Sequence, residues 1–462
     1  MIDELERQFE DHLRETDRAL RATPIPPFGV VRRAHGRRAV ALASALTVAV
    51  VGVPVLFGIL AGDGPTADNP EPLPVVATVT TQGVHEVLDG PWSWRQLESA
   101  ALGGEGSQVI STIEHTRHGL LAGGYSGSEA ALWRSDDGLT WERMPDPEGA
   151  FGAPSGVFGT EGRLIINGVA DLGIRTVAVG VECGSGVREL DGCVAAAWYS
   201  DDGVAWHRAD HQVDLELAES VFFRDVEWES WHADVPTAGM TGVVSTPLGL
   251  VAVGDGIWTS SDGIDWDLQE MVGTALFDVM VVGEDLLLLG TDKSQAGAWW
   301  SQYGRLWRSA RVEASSDVEA GTASTRLVGA VAFDDGFTAV GLHDADYGFD
   351  VAFWSSEDGD VWSLSRIGTW GMMENLFGIA GAGDTVVAVG TEAHTGQRAA
   401  VWMSADRGLT WTKVANDAAL FGHYDLESHA SAAYAAVEAD GRLIVGGHRD
   451  GDAAVWVAER AP

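Results

Sequence analysis

Seven short apolar runs, each ending in glycine, recur along the C-terminal part of the chain. The runs are LLAGG at 120, TVAVG at 176, LVAVG at 250, LLLLG at 286, TAVG at 338, VVAVG at 386 and LIVGG at 443. A short apolar run predicts a buried β-strand. Six of the runs are followed by Trp-x-Ser-x-Asp-Gly-x-x-Trp or a close variant. Asp-Gly predicts a tight hairpin turn, because Gly takes positive φ and Asp bonds nearby backbone N–H groups.

The repeated motif supplies the same set of residues in five clear copies. They are Ser135, Asp137, Gly138 and Trp141; Ser200, Asp202, Gly203 and Trp206; Ser260, Asp262, Gly263 and Trp266; Ser356, Asp358, Gly359 and Trp362; and Ser404, Asp406, Gly408 and Trp411. A sixth, degenerate copy runs from Trp299 to Trp307. Repeated units that each contain several short strands are typical of β-propeller blades.

The repeat count predicts an all-β protein with a seven-bladed β-propeller, although six or eight blades would also fit. The last unit, near the C-terminus, lacks its fourth strand. The segment PWSWRQL, with Trp92 and Trp94, can supply that strand and close the ring. Closure removes the exposed sheet edge that would otherwise invite aggregation.

One copy of the motif matches a known pattern in full. The segment from Ser404 to Trp411 has the form S-x-D-x-G-x-T-W. Residues 91–462 therefore resemble the Asp-box, or BNR-repeat, propellers, which include sialidases, other glycan-active enzymes and non-enzymatic surface proteins. The resemblance implies that the Asp-box turns are structural and lie on the face away from the binding pocket. Sialidases place an Arg-Ile-Pro motif near the start of the propeller, where this chain has Trp-Arg95-Gln.

The N-terminal region predicts a membrane anchor. Residues 39–61 are apolar and uncharged, which is long enough to span a bilayer as one helix. Four arginines lie before this segment in residues 32–38, and no Lys or Arg follows until Arg95. This asymmetry predicts a single-pass protein of the cell membrane, with residues 1–38 cytoplasmic and the C-terminal domain extracytoplasmic. Residues 62–90 are predicted to form a Pro-rich linker. The alternative to a membrane anchor at residues 39–61 is a cleaved signal peptide.

Charge and cysteine content limit the partners. The formal net charge is −39, and such a surface repels nucleic acid, so we expect no nucleic-acid partner. The two cysteines, Cys183 and Cys193, are predicted to form a disulfide in an oxidising exterior, with free thiols or a metal site as alternatives. We expect no cofactor and no metal.

A binding site is expected on the loops of the face opposite the Asp-Gly turns, because loops on a rigid scaffold usually carry function. Flat aromatic rings stack on sugars or bury partner side chains, while carboxylates and Arg fix polar groups. The alternative is that these loops only pack against their own scaffold. The candidate ligand-binding residues are Arg224, Trp228, Trp231, His232, Trp370, His423, Tyr424 and Asp425.

These features favour a non-catalytic module that binds a protein or a glycan outside the cell. A sialidase-like exo-glycosidase is the first alternative, although no catalytic residue can be assigned from the sequence. An assembly or scaffold factor for membrane complexes is the second alternative.

Overall fold

The computed structural model describes most of the C-terminal domain. The described residues are 78–81, 84–89, 91–146, 148–152, 163–183, 193–209, 239–269, 274–302, 304, 306–314, 324–345, 348–367, 373–393, 397–414, 417–422 and 430–461. The predicted cytoplasmic segment and the predicted span at 39–61 lie outside them. Within these ranges, no helix is long and apolar enough to cross a membrane.

Strands dominate the described chain and group into seven sheets. The first three strands are β1 (Thr78–Thr81), β2 (Val84–Asp89) and β3 (Trp92–Gln96). Blade 1 contains β4 (Gln108–Thr116), β5 (Gly119–Ser126), β6 (Glu129–Ser135) and β7 (Glu142–Arg143). Blade 2 contains β8 (Arg163–Asp171), β9 (Thr176–Cys183), β10 (Cys193–Ser200) and β11 (His207–Arg208). Blade 3 contains β12 (Met240–Thr246), β13 (Gly249–Gly254), β14 (Ile257–Ser260) and β15 (Asp267–Gln269).

The second half of the ring continues the same pattern. Blade 4 contains β16 (Thr274–Val282), β17 (Asp285–Asp292), β18 (Gln295–Ser301) and β19 (Arg308–Ser309). Blade 5 contains β20 (Arg311–Val312), β21 (Ser324–Phe333), β22 (Gly336–Ala345), β23 (Gly348–Ser356) and β24 (Val361–Ile367). Blade 6 contains β25 (Met373–Ala382), β26 (Thr385–Ala393), β27 (Gln397–Ser404) and β28 (Thr412–Lys413), followed by α1 (Ala418–Phe421). The final strands are β29 (Ser431–Ala439), β30 (Arg442–Arg449) and β31 (Asp452–Arg460).

The ring closes between the two ends of the domain. Strand β3 pairs antiparallel with β31, so that Trp92 lies opposite Arg460 and Trp94 opposite Ala458. Blade 7 is therefore a composite of β29, β30, β31 and β3, with β2 and β1 added on its outer side. The predicted closure and the predicted count of seven blades are both confirmed. The added β1–β2 hairpin was not predicted.

Every innermost strand carries a β-bulge, and each bulge lies opposite the glycine of an apolar run. In blade 1 Ile110 pairs with Gly124, and in blade 6 Leu376 pairs with Gly390. A Cβ on Gly390 would lie 1.8 Å from the carbonyl oxygen of Asn375. The backbone approaches so closely that no larger residue fits. Six of these seven glycines lie within strands and do not end them as the runs suggested; β26, for example, continues past Gly390 to Ala393. In blade 3 the strand does end at its glycine, Gly254.

The tryptophans of the repeat fill the spaces between neighbouring blades. Trp402 and Trp411 of blade 6 pack with Val340, Leu342 and Phe353 of blade 5. The rings of Phe353 and Trp411 stack with centroids 4.4 Å apart. The blade-to-blade contacts are therefore large aromatic surfaces, which hold the ring as a rigid frame for its loops.

Candidate functional site

The Asp-Gly turns are closed by their own side chains. In blade 1 the amide of Gly138 donates to Ser135 Oγ at 2.8 Å, and Asp137 Oδ1 accepts from the amides of Leu139 and Thr140 at 2.8 and 2.7 Å. These N–H groups hold the pKa of Asp137 below its usual value. The same pattern recurs in blades 2, 3, 5 and 6.

The tips of the hairpins between first and second strands share one face with these turns, and we call it the turn face. Arg175, at such a tip in blade 2, pairs with Asp201 of a turn at 2.6 Å and donates to the carbonyl of Asp262 in blade 3 at 2.8 Å. Arg407, in the turn of blade 6, pairs with Asp384 at 2.6 Å and with Asp335 of blade 5 at 2.5 Å. The charges of this face therefore tie neighbouring blades together.

On the opposite face, blade 6 carries a row of four buried charged side chains, one from each strand, which we call the blade-6 row. Its members are Glu374, Glu392, Arg398 and Lys413, whose side chains are 0%, 1%, 6% and 13% exposed. Arg398 Nε donates to Glu392 Oε1 at 3.0 Å, and Lys413 Nζ donates to Glu374 Oε1 at 3.1 Å. Lys413 also pairs with Glu392, so one ammonium bridges both glutamates.

In the blade-6 row, the carboxylate of Glu374 is only partly compensated. Glu374 Oε2 is buried and has no hydrogen-bond partner within the described part of the chain. Burial raises the pKa of Glu374, the contact with Lys413 opposes that shift, and the charges of Glu392 and of Asp350 in blade 5 add to it. Burial also raises the pKa of Asp350, and His343 opposes this. Both carboxyls therefore bind a proton more readily than an exposed acid does.

Blade 2 repeats part of this arrangement. Glu182 on β9 pairs with Arg208 on β11, and the guanidinium of Arg208 lies 5.8 Å from the ring centroid of Trp198. In blade 6 Lys413 lies 5.3 Å from the ring centroid of Trp402. Next to Glu182, Cys183 is disulfide-bonded, and the strand register sets Cys193 opposite it. In both blades these contacts therefore hold the strand ends that border the loops of this face.

A third set of contacts joins the segments on either side of residues 423–429. Ser431 Oγ accepts from the amide of Ala399 at 2.9 Å and donates to the carbonyl of Phe421. The indole of Trp456 donates to the carbonyl of Leu420 at 2.8 Å. Helix α1 and the start of β29 are therefore held together and against blades 6 and 7.

The central channel holds two further carboxyls that the sequence did not single out. Glu114 on β4 and Asp278 on β16 both belong to innermost strands. Desolvation raises the pKa of Glu114 to about 8, with a smaller contribution from the charge of Asp278, and raises the pKa of Asp278 itself to about 7. The side chain of Glu114 is nevertheless exposed, so solvent screens part of this effect. Desolvation likewise raises the pKa of Asp255, which follows β13, to about 7.

All eight predicted ligand-binding residues lie outside the described residues. They are Arg224, Trp228, Trp231, His232, Trp370, His423, Tyr424 and Asp425. The strands and helix that flank them are described, and the blade-6 row and the Ser431 contacts lie at those ends. Within the described ranges, no group of three or more His, Cys, Asp or Glu side chains is arranged to hold a metal ion. The only sequence signal for the blade-6 row was a glutamate two residues after the run glycine in VVAVGTEA, repeated in TVAVGVEC.

Comparison with known proteins gives a fold likeness only. No protein-family model matches the chain, and no curated protein matches it. Among solved structures, a Trypanosoma rangeli sialidase with the inhibitor DANA matches with a TM-score of 0.39 and 12% identity, covering 76% of this chain and 55% of that chain. The same sialidase with sialic acid matches with a TM-score of 0.40 and 11% identity, covering 77% and 54%.

A second kind of enzyme also matches in part. The GH43 β1,3-galactosidase BT3683 matches with a TM-score of 0.34 and 8% identity, covering 55% of this chain and 92% of that chain. This chain spans about half the length of the sialidases it matches. At these scores and identities the likeness carries no argument about fold or activity.

Proposed function

We propose that this protein is a membrane-anchored, extracytoplasmic β-propeller that binds a protein or glycan ligand without catalysis. The ligand would lie on the face opposite the turn face, against the loops that carry Trp228, Trp370 and Tyr424. The membrane anchor at residues 39–61 and the outward orientation come from the sequence alone.

The observation that carries this proposal is the blade-6 row. Burying four charged side chains is costly unless they are paired. The turns that build the blades form without such a row, so the row is not needed to make a blade. The row fixes the described ends of β25, β26 and β27, and the Ser431 contact fixes α1 against β29. Rigid loop ends reduce the entropy lost on binding, which is what a preorganised binding face requires.

Three of the described arginines near this face are engaged by their own scaffold, which favours binding over sialidase-like hydrolysis. Arg398 and Arg208 are each held by a glutamate of their own blade. Arg163 lies over the ring of Tyr125, with its guanidinium carbon 4.9 Å from the ring centroid. A sialidase-like site would instead need arginines that converge on the substrate carboxylate. A sialidase-like exo-glycosidase and an assembly factor remain the alternative functions that the experiment must separate.

The test uses the full-length chain purified in mild detergent. It is screened for binding on a glycan array and for turnover of fluorogenic sialosides and galactosides. We expect binding without turnover, and we expect the variants Trp228→Ala, Trp370→Ala and Tyr424→Phe to weaken it. Arg134→Ala is the matched control, because Arg134 is a surface residue at the edge of the turn face whose ion-pair partner, Asp136, is exposed.

Each outcome has a distinct meaning. Turnover that is lost when a loop carboxylate such as Asp425 is changed to Asn would replace the binding role with the glycosidase alternative. Glycan binding that survives all three loop variants would contradict the proposed face. If neither glycans nor glycosides give a signal, a glycan ligand is excluded. The ligand would then be a protein, and crosslinking at Trp228 and Trp370 would test this.

A further inference from the structure

The exposed large hydrophobic side chains of the described residues all lie at the turn face. Three lie at or beside hairpin tips, and four lie within or directly after the turns between third and fourth strands. They are Ile174, Leu248 and Val281, with 72%, 62% and 41% exposure, and Val204, Leu306, Val361 and Leu409, with 51%, 88%, 49% and 76% exposure. We call these seven residues the turn-face aliphatics. Single exposed aliphatic residues are ordinary, but a set confined to one face indicates a contact surface.

The sequence repeats this feature in every turn. In all six copies of the motif, one of the two positions between the glycine and the second Trp is aliphatic. The residues are Leu139, Val204, Ile264, Leu306, Val361 and Leu409. The hydrogen bonds of the turn do not require an aliphatic side chain there, because Asp137 and its counterparts accept the backbone N–H groups of the aliphatic residues. Leu139 packs partly against the core between blades 7 and 1, whereas Val204, Leu306 and Leu409 are exposed. A polar residue would form the same bonds and would keep the surface more soluble.

The charge around the turn-face aliphatics is negative. The pKa values of Asp137, Asp202 and Asp406 are lowered, so these groups stay ionised. Arg175 and Arg407 are each already paired with aspartates of the same face. The aliphatic side chains therefore project from a surface with an excess of carboxylates.

We propose that the turn face docks a basic protein partner, whose apolar side chains contact the turn-face aliphatics and whose Lys and Arg side chains contact the surrounding carboxylates. A second copy of the chain would present the same acidic charge and be repelled, and so would a bilayer of anionic lipid. This surface lies on the other side of the ring from the proposed ligand-binding face. The protein would thus join a ligand on one face to a partner on the other.

The experiment measures binding of two synthetic helical peptides to the full-length chain in detergent. One peptide has a Leu face and a Lys face, and the other has Ser in place of each Leu. The variant Val204→Ser/Leu306→Ser/Leu409→Ser is expected to weaken the Lys/Leu peptide by about tenfold or more, since each exposed aliphatic contact contributes a fraction of the hydrophobic free energy of a buried Leu. Binding of the Lys/Ser peptide should not change between the variant and the natural chain.

The control variant is Glu105→Ser/Glu129→Ser, which changes two exposed residues beside loops that are not part of the turn face. It should leave the preference for the Lys/Leu peptide intact. The proposal is overturned if the triple variant binds the Lys/Leu peptide as tightly as the natural chain, or if the control variant weakens it equally. It is also overturned if uncharged phosphatidylcholine vesicles bind with the same dependence on the three aliphatic residues, since that would make the partner a lipid surface.

Discussion

The two faces of the ring use charge in opposite ways. On the turn face, aspartates such as Asp137 are exposed, bonded to local N–H groups and lowered in pKa. On the opposite face, Glu374 is buried, bonded to residues distant in sequence and raised in pKa. The first arrangement repeats in almost every blade and builds it, whereas the second, among the residues that the structure describes, occurs in full only in blade 6. In a repeat protein, departure from the repeat is the better guide to a specialised site.

The largest expected effect is a loss of stability when a glycine opposite a strand bulge is substituted, because the bulges belong to the frame that carries both faces. Gly390→Ala places a Cβ 1.8 Å from the carbonyl oxygen of Asn375, so we expect a loss of ~3 kcal/mol or more in unfolding free energy. Gly441→Ala is the control, since its site is open and only its positive φ is strained, which costs ~1 kcal/mol. Urea unfolding measures both variants. Equal losses would show that the bulge does not constrain this position.

The blade-6 row should be the most sensitive part of the opposite face. Lys413→Met removes the ammonium that bridges Glu374 and Glu392, which should cost ~3 kcal/mol near neutral pH. The loss should shrink at lower pH, because Glu374, with its raised pKa, can then take up a proton and stay neutral. Thermal unfolding at about pH 5 and about pH 8 compares the two conditions.

The matched variant for the blade-6 row is the double change Lys413→Met/Glu374→Gln. It removes the uncompensated charge and should recover part of the stability at the higher pH. A double variant that is no more stable than Lys413→Met would contradict the role given to the Glu374 charge.

The turn face should show a smaller effect that depends on the blade. Ser135→Ala leaves the buried amide of Gly138 without its acceptor, which should cost ~1–2 kcal/mol. In blade 4 the hydroxyl of Ser301 has no hydrogen-bond partner among the residues that the structure describes, so Ser301→Ala should change stability by only a few tenths of a kcal/mol. Chemical denaturation of the two single variants gives the comparison. A similar cost at both serines would mean that the turn bonds do not determine it.

The smallest effect is expected in the channel, because the side chain of Glu114 is exposed and solvent screens much of its charge. Between the ordinary pKa of 4.5 and the folded value of about 8, the folded chain binds the proton of Glu114 more tightly than the unfolded chain does. Stability should therefore fall as pH rises through that window. The Gln side chain of Glu114→Gln cannot ionise. The melting temperature of this variant, relative to that of the natural chain, should therefore rise between about pH 5 and about pH 9. Glu105→Gln, at an exposed loop position, is the control, and a gain of the same size there would remove the channel from the explanation.

The repeat made the ring predictable, but it could not reveal the blade-6 row. Blade number and closure follow from local signals, namely the apolar runs, the Asp-Gly turns and the paired tryptophans near Trp92. Glu374 and Lys413 are 39 residues apart in sequence and meet only because four strands align in one sheet. The strand bulges were also missed, because a glycine at the end of an apolar run looks like a strand end. Only the register shows that it lies opposite a bulge.

The most direct test of the division between the faces is hydroxyl-radical footprinting of the full-length chain, first in its native membrane and then after purification in detergent. We predict that Trp228, Trp370 and Tyr424 are less oxidised in the native membrane than in the purified chain, while Arg143, which is exposed on the outermost strand of blade 1, is oxidised equally in both. Equal oxidation of the three aromatic residues in the two preparations would contradict the claim that the loops opposite the turn face bind the ligand.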